Sequence, residues 1–228
     1  MSSRVIAIDG PAGSGKSTTA KAVARRLGLP HVESGALYRA VTLAALDAGR
    51  SLEPQKLVAL ARALPIRLDL TETGFRPEIA GADVSGAIRS DRVTGAVSEV
   101  SAIPEVRDWV NAEVRAAVSR HARGAVLDGR DIGTVVFPDA PVKIYLTARP
   151  EVRAARRAND AEAGSKTRDQ IAAELAARDH ADSTRATSPL RPADDAVIVD
   201  TSDLDIDGVV KTILAVVERV TTREHRPR

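Results

Sequence analysis

The sequence predicts an α/β fold in which a parallel five-stranded sheet is flanked by helices and carries a small antiparallel β insert. Short apolar segments typical of buried strands alternate along the chain with longer stretches of helical periodicity. This alternation favours parallel strands that are joined by crossover helices. At 228 residues the chain is also long enough for one well-buried core of this kind.

The elements follow from the apolar segments and the breaks between them. Strands are predicted at residues 5–8, 30–33, 125–128, 142–146 and 196–200. Helices are predicted at residues 15–27, 35–48, 53–63, 91–100, 104–121, 150–162, 167–182 and 205–220. Residues 65–89 break the alternation, because two β-like segments at 66–70 and 75–79 flank a Glu-Thr-Gly turn. This pattern predicts antiparallel β-structure inserted between the second and third core strands.

Composition narrows the classes of protein to which the chain can belong. Hydrophobic residues make up 43% of the chain and charged residues 28%, as is typical of a soluble globular protein. The lack of cysteine excludes disulfides, a zinc-thiolate site and a cysteine nucleophile, and suits a cytoplasmic protein. No apolar run approaches the ~18 residues of a membrane span. A net charge of +2 with 2% aromatic residues argues against a nucleic-acid partner.

Residues 10–17 match the pattern G-x-x-x-x-G-K-[ST] at every fixed position. A predicted strand precedes them and a predicted helix follows, so backbone N–H groups and the helix N-terminus can face a phosphate group. Lys16 can reach the β- and γ-phosphates, and the Ser17 hydroxyl can ligate Mg²⁺. The motif predicts a nucleoside triphosphate site formed by Gly10, Pro11, Ala12, Gly13, Ser14, Gly15, Lys16, Ser17 and Thr18.

Arginines and carboxylates follow other predicted strands. Residues 34–39 follow the second strand and residues 128–131 end the third, at the sheet edge where ligands bind in such folds. Arg178, Asp182 and Arg185 are spaced i, i+4 and i+7, on one face if the helix continues through them. Guanidinium groups pair bidentately with phosphates. These clusters predict a site for a second phosphorylated molecule.

Several alternatives remain open at this point. Arg153, Arg156 and Arg157 are also compatible with a solvated helix face, and the spacing of Arg178 and Asp182 with ordinary helix ion pairs. None of the four histidines has a partner at a telling spacing, so none is assigned to chemistry. The competing classes are a kinase for another acceptor such as AMP, UMP or shikimate, a nucleotide-dependent switch, and a nucleic-acid processing protein.

Five blocks of sequence indicate a family: residues 8–17, 34–39, 83–89, 128–140 and 178–190. The longest block reads Asp-Gly-Arg-Asp-Ile-Gly-Thr-Val-Val-Phe-Pro-Asp-Ala and is far more specific than the glycine-rich loop, which many families share. The blocks run in family order over nearly the whole chain. On these residues the chain resembles the bacterial cytidylate kinases, which are P-loop nucleoside monophosphate kinases.

The resemblance implies a single P-loop kinase domain over residues 1–228, with an NMP-binding insert at 62–90 and a short LID at 150–165. It implies ATP with Mg²⁺ as donor, CMP and dCMP as acceptors, and a monomer. Glu33 stands where the family usually has Asp. The acceptor would be held by residues that match the family's motifs, namely Ser34, Tyr38, Arg39, Ser98, Arg107, Asp128, Arg130, Asp131, Arg178, Asp182 and Arg185.

Phosphoryl transfer requires alignment and charge neutralisation more than covalent chemistry from the protein. We expect Lys16 to hold the β- and γ-phosphates while Arg130 and Arg39 fix the acceptor. We expect Arg153 and Arg157 of the LID to move in when the site closes. The predicted catalytic residues are therefore Lys16, Arg130, Arg153 and Arg157.

Overall fold

Five parallel strands form the central sheet. The structure is a computed structural model that describes residues 4–49, 53–72, 74–121, 123–159 and 166–224. The strands are β1 (Arg4–Asp9), β2 (His31–Glu33), β6 (Gly124–Gly129), β7 (Val142–Thr147) and β8 (Val197–Asp200), in the spatial order β2-β6-β1-β7-β8. Every predicted strand is confirmed, to within one residue at either end.

The apolar runs of these strands are explained by burial on both faces of the sheet. In β1, Val5 and Ala7 lie in one hydrophobic core, while Ile6 and Ile8 lie in the other. Because successive side chains of a strand point to opposite faces, a strand covered on both sides must be apolar at every position. The sheet is therefore the middle of three layers.

Helices form those outer layers. They are α1 (Lys16–Leu27), α2 (Gly35–Asp47), α3 (Pro54–Ala63), α4 (Asp91–Ala102), α5 (Pro104–Ser119), α6 (Pro150–Ala158), α7 (Arg168–Thr184) and α8 (Ile206–Glu224). Pro54, Pro104 and Pro150 each begin a helix, where the missing N–H costs no hydrogen bond. The predicted helices are confirmed for the described residues. Residues 160–165, which include the predicted end of the 150–162 helix and the last part of the predicted LID, lie outside the described residues.

A second, antiparallel sheet contains β3 (Ile66–Leu70), β4 (Phe75–Ile79) and β5 (Ala82–Asp83), in that order. It confirms the β insert between the second and third core strands. Ile66 and Leu68 are almost fully buried in the same core that contains α2 residues. The insert is thus joined to the main sheet's helices by apolar packing, and its extent over residues 62–90 stays a prediction.

Two short segments were not predicted. A 3₁₀ turn at Ala87–Arg89 follows β5, and a π-helical turn at Ile132–Val136 follows β6. Arg115 of α5 donates hydrogen bonds to the carbonyls of Val135 and Val136 at 2.7 and 2.8 Å, which satisfies the end of the π-helical turn. Among the described helices, none combines the length and the apolar character that crossing a membrane requires.

Candidate active site

A cavity of about 670 Å³ opens at the carboxyl-terminal edge of the sheet. The cavity is lined by the loop after β1 and by residues that end or directly follow β2, β6 and β8. Ligands bind at this edge in open α/β sheets. The cavity brings together most of the predicted residues: Ala12, Gly13, Ser14, Gly15, Lys16, Ser17, Thr18, Ser34, Tyr38, Arg39, Ser98, Arg107, Asp128, Arg130, Asp131, Arg157, Arg178, Asp182 and Arg185.

The loop after β1 has the backbone that a phosphate site needs. Gly10 has φ +150°, and a Cβ there would lie 2.1 Å from the carbonyl oxygen of Leu146 on β7. Gly15 has φ +89° and directly precedes α1, so the first N–H groups of that helix face the cavity. These two positions require glycine for different reasons, one for space and one for conformation.

Lys16 is buried at the start of α1. Its Nζ donates a hydrogen bond to the carbonyl of Pro11 at 2.6 Å and lies 3.5 Å from Ser14 Oγ. Burial lowers the pKa of Lys16 well below its usual value, and the nearby Arg130 guanidinium lowers it further. An anionic ligand beside this ammonium group would raise the pKa of Lys16 again and so oppose the effects of burial and of Arg130. The site therefore favours binding of negative charge.

Asp128 at the end of β6 is held from two sides. Its Oδ2 accepts a hydrogen bond from the Ser17 hydroxyl at 2.7 Å, and its Oδ1 lies 2.5 Å from Nε2 of His31. Burial raises the pKa of Asp128, but the hydrogen bond from His31 and the other contacts outweigh it, so the pKa lies below its usual value. The carboxylate beside the phosphate loop is therefore ionised near neutral pH.

The second part of the cavity contains a buried ion pair. Arg107, which is 1% exposed, donates from Nη2 to Asp131 Oδ2 at 2.5 Å and from Nη1 to the carbonyl of Ser101 at 2.9 Å. Its guanidinium lies over the ring of Tyr38, 5.3 Å from the centroid. Burial raises the pKa of the Tyr38 phenol. The hydroxyl therefore stays protonated and able to donate a hydrogen bond.

Buried polar atoms of this region lack protein partners. Among the described residues, the Tyr38 hydroxyl, Arg107 Nε and Arg185 Nη2 are buried without a hydrogen bond. Such groups are costly unless something satisfies them. Because all three residues line the cavity, a polar ligand there is the natural partner for them.

Helix α7 supplies a further charged cluster. Asp182 Oδ2 accepts from Arg130 Nε at 2.8 Å, and its Oδ1 accepts from Arg185 Nη1 at 3.4 Å. Burial lowers the pKa of Arg178 to about 10, and repulsion by Arg130 acts in the same direction. The helix ends at Thr184, so Arg185 reaches the cavity from an extended residue after the helix and not from its face. The helix therefore does not continue through Arg185, but Arg178, Asp182 and Arg185 all still line the cavity.

Arg39 and Ser34 line the cavity as well. Arg39 Nη1 donates to the carbonyl of Ile88 at 3.1 Å and to Thr94 Oγ1 at 2.9 Å, and both acceptors lie in the segment after β5. Ser34 Oγ donates to the carbonyl of Asp128 at 3.2 Å. Glu33 binds Arg89 at 2.8 Å, and both line the cavity. The 3₁₀ turn at Ala87–Arg89 is thereby linked to the end of β2.

The arginines of α6 take different positions. Arg156 and Arg157 line the cavity, and Arg156 donates to the hydroxyl and carbonyl of Thr201 at 2.8 and 2.6 Å. Arg153 is absent from the lining residues, as are Gly10 and Pro11. Its guanidinium contacts the carbonyl of Ala12 and the carboxylate of Asp179 instead. The predicted approach of Arg153 and Arg157 to a transferring group stays a prediction.

Three buried or partly buried residues that bind the loops and strand ends around the cavity were missed from the sequence. Asp9 accepts from the N–H groups of Ile132 and Gly133 at 2.9 and 2.7 Å, and burial raises its pKa to about 6. The sequence did contain a signal for Asp9, namely a carboxylate directly after the apolar segment at residues 5–8. His31 and Asp179 gave no such signal, because neither directly follows a predicted apolar strand and each contacts a residue far away in the chain.

Together, the strand order, the glycine-rich loop before α1 and the arginine-rich compartment beside it define a P-loop phosphotransferase with two substrate compartments. Comparison with known proteins then identifies the family. The cytidylate kinase family model matches residues 6–219, and the chain belongs to this family.

Individual relatives agree with the family match. The chain is similar to the cytidylate kinase of Rhodococcus opacus, with 48% identity over 95% of each chain, and to that of Streptomyces griseus, with 46% identity over 95% of this chain and 94% of the relative. Among solved structures, an uncharacterised protein from Eubacterium ventriosum is similar in fold, with a TM-score of 0.50, 12% identity and coverage of 94% of this chain and 98% of that chain. The protein is thus a kinase that uses nucleotides.

Proposed function

We propose that the protein transfers the γ-phosphoryl group of ATP to the phosphate of CMP or dCMP, which yields ADP and CDP or dCDP. The observation that carries this proposal is one continuous cavity that joins the phosphate loop with Lys16 to a compartment of buried arginines and carboxylates. A kinase for nucleoside monophosphates needs two anion sites in line, and this cavity offers both.

The donor would occupy the part of the cavity beside the loop. Residues 13–18 would bind the triphosphate through backbone N–H groups, and Lys16 would bind its β- and γ-phosphates. Next to them, Leu204 and Ile206 line the cavity and are 40% and 42% exposed. Exposed apolar side chains beside a phosphate site suit the flat base of ATP.

The residues present also fit Mg²⁺. Mg²⁺ in phosphoryl-transfer sites is bound through one or two side-chain oxygens together with substrate phosphates. The Ser17 hydroxyl and the ionised Asp128 carboxylate, 2.7 Å apart at the loop, provide such a pair. We propose that they hold the ion, which when bound would neutralise charge on the donor phosphates.

The acceptor would occupy the arginine-rich compartment. Arg39, Arg130 and Arg185 would bind its phosphate, since guanidinium groups pair with phosphate oxygens. Asp131 and Arg107 would bind the base, because a carboxylate can accept from the amino group of cytosine while a guanidinium donates to its ring acceptors. Arg178, Asp182 and Ser98 would face the sugar, with Ser34 and Tyr38 packed against the nucleotide.

No strong general base is required, because the acceptor phosphate is already anionic near neutral pH. Lys16 and Arg130 would hold the donor and acceptor in line and neutralise the charge that is transferred. Arg157 would approach when the LID at residues 150–165 and the insert at 62–90 close, and closure would exclude water as a competing acceptor.

The phosphate loop and the arginine-rich compartment line one cavity within the same chain. We therefore propose that a monomer is active. We also propose that the protein works in the cytoplasm, where ATP and CMP are available.

The variant Arg130→Ala tests the acceptor assignment. We expect this variant to raise KM for CMP strongly and to change KM for ATP little. The reason is that Arg130 binds Asp182 of α7, which we place in the acceptor compartment. The matched control is Arg92→Ala, which removes an exposed arginine of α4 that pairs with Asp47. Unchanged kcat and KM for CMP in Arg130→Ala would show the assignment to be wrong.

A further inference from the structure

Both backbone polar groups of Ala12, in the phosphate loop, are bound by side chains from distant elements. The N–H of Ala12 donates to Asp179 Oδ1 of α7 at 3.0 Å, and its carbonyl accepts from Arg153 Nη1 of α6 at 3.0 Å. In a loop of this kind, free N–H groups are the phosphate donors. The peptide groups of Ala12 are instead committed to the protein, so they fix the loop.

The two side chains are also bound to each other. Arg153 donates to Asp179 Oδ2, and its Nε donates to the carbonyl of Ala148 at 3.1 Å. Both side chains are mostly buried, at 11% and 19% exposed. Arg153, Asp179 and the two polar groups of Ala12 therefore form a closed ring of hydrogen bonds, which we name the Ala12 clamp.

Apolar packing holds the same contact. Ala12 forms a small buried cluster with Ala154 of α6 and with Ile171 and Leu175 of α7. At the next position, a Cβ on Gly13 would lie 3.0 Å from both Cβ and the carbonyl oxygen of Arg153. The loop thus lies directly against the α6–α7 pair, and any shift of these helices changes the polar contacts at Ala12.

Helix α7 also reaches the acceptor compartment. Asp182 lies almost one turn after Asp179 and binds Arg130, whereas Asp179 binds the phosphate loop. The same turn of one helix therefore connects both substrate compartments.

We propose that Arg153 and Asp179 are positioning residues, which act through Ala12 to hold the phosphate loop in its ATP-binding shape. This inference rests on the proposed function. If the loop already has this shape before ATP binds, less of the free energy of binding is used to order the loop. Arg153 has a second effect, because it neutralises a carboxylate that would otherwise repel the triphosphate. Arg153 is then not in contact with the transferring phosphoryl group.

The charge effect gives an unusual expectation for variants. Asp179→Ala should weaken ATP binding about fivefold, because one charged hydrogen bond to the loop is lost. Arg153→Ala should weaken it more, about 30-fold, because the loop contact is lost and the Asp179 charge is left unpaired. The double variant Arg153→Ala/Asp179→Ala should bind ATP better than Arg153→Ala alone, since the unpaired charge is gone.

The experiment measures the Kd of a non-hydrolysable ATP analogue with Mg²⁺ for the three variants, together with KM for ATP and CMP and the melting temperature. Glu174→Ala is the matched control, because it removes an exposed carboxylate of the same helix that pairs with Lys166. We expect Arg153→Ala to bind the analogue more weakly than both Asp179→Ala and the double variant. KM for CMP should change less than twofold, and the control should match the unchanged protein.

Other outcomes overturn the proposal. If Arg153 contacts the transferring group directly, Arg153→Ala lowers kcat sharply, and removal of Asp179 restores nothing. If the pair only stabilises the fold, the melting temperature falls while analogue binding stays unchanged. Because the analogue needs no acceptor, its binding decides the question even if CMP proves not to be the substrate, so the two failures are distinguishable.

Discussion

The buried ion pair between Arg107 and Asp131 should be costly to break by removing one partner, but not to replace as a whole. Replacement of Asp131 alone by Leu leaves a guanidinium that is 1% exposed without its carboxylate. Replacement of Arg107 alone by Met leaves a carboxylate whose side chain is 5% exposed. Removal of one partner of such a pair costs about 3–5 kcal/mol. That is a large part of the ~5–15 kcal/mol that holds a typical protein folded.

The double variant Arg107→Met/Asp131→Leu should be much less destabilised than either single variant, because apolar residues can replace a buried pair at little cost. Urea unfolding and thermal melting measure this. For a chain of this size, a loss of 3–5 kcal/mol corresponds to a fall in melting temperature of about 6–20 °C. The exposed pair of Arg92 and Asp47 is the control, and Arg92→Met should change stability by less than about 1 kcal/mol.

The result that would refute this reasoning is additivity. If the two single losses simply add in the double variant, Arg107 and Asp131 do not stabilise each other. Single losses below about 1 kcal/mol would refute it as well, because they would place the pair in the class of solvated surface ion pairs.

Two further predictions concern the loop after β1. Burial raises the pKa of Asp9 from 3.8 to about 6, so the folded state binds the proton more tightly than the unfolded chain; the resulting stability is fully present below pH 3.8 and is lost as the pH rises through 6. When the pH is lowered from 7 to 4, the free energy of unfolding of the unchanged protein should therefore rise by about 2 kcal/mol relative to that of Asp9→Asn. Urea unfolding of both proteins at several pH values measures this difference. If the two plots of unfolding free energy against pH run parallel, the prediction is wrong. Gly10→Ala should destabilise by about 3 kcal/mol or more, since its Cβ would overlap the Leu146 carbonyl, whereas Gly49→Ala, with φ +58° and nothing within 4 Å, should cost only about 1 kcal/mol. Equal melting temperatures for these two variants would contradict the steric argument.

Much of the fold could be predicted because its signals are local. Strands buried on both faces must be apolar, so β1 and β6 stand out in the sequence. The glycine-rich loop is recognisable because a side chain at Gly10 would overlap the Leu146 carbonyl and the backbone conformation at Gly15 is rarely open to other residues. The first residues of α3, α5 and α6 could be predicted from the sequence because each of these helices begins with proline.

What could not be predicted depends on contacts between distant parts of the chain. His31 and Asp128 are 97 residues apart and meet only because β2 and β6 are neighbours in the sheet. Asp179 and Ala12 are 167 residues apart, and their hydrogen bond is set by how α7 packs on the loop. The spacing of Arg153 from Arg157 revealed a shared helix but not that Arg157 lines the cavity while Arg153 binds Ala12 and Asp179.

The most direct test of the account is ATP consumption measured with CMP, dCMP, UMP and AMP side by side, for the unchanged protein and for Lys16→Ala. The account predicts that CMP and dCMP give the highest kcat/KM, and that Lys16→Ala collapses turnover with every acceptor, because its ammonium would bind the donor phosphates. A preference for AMP or UMP, or ATP consumption that no monophosphate stimulates, would contradict it.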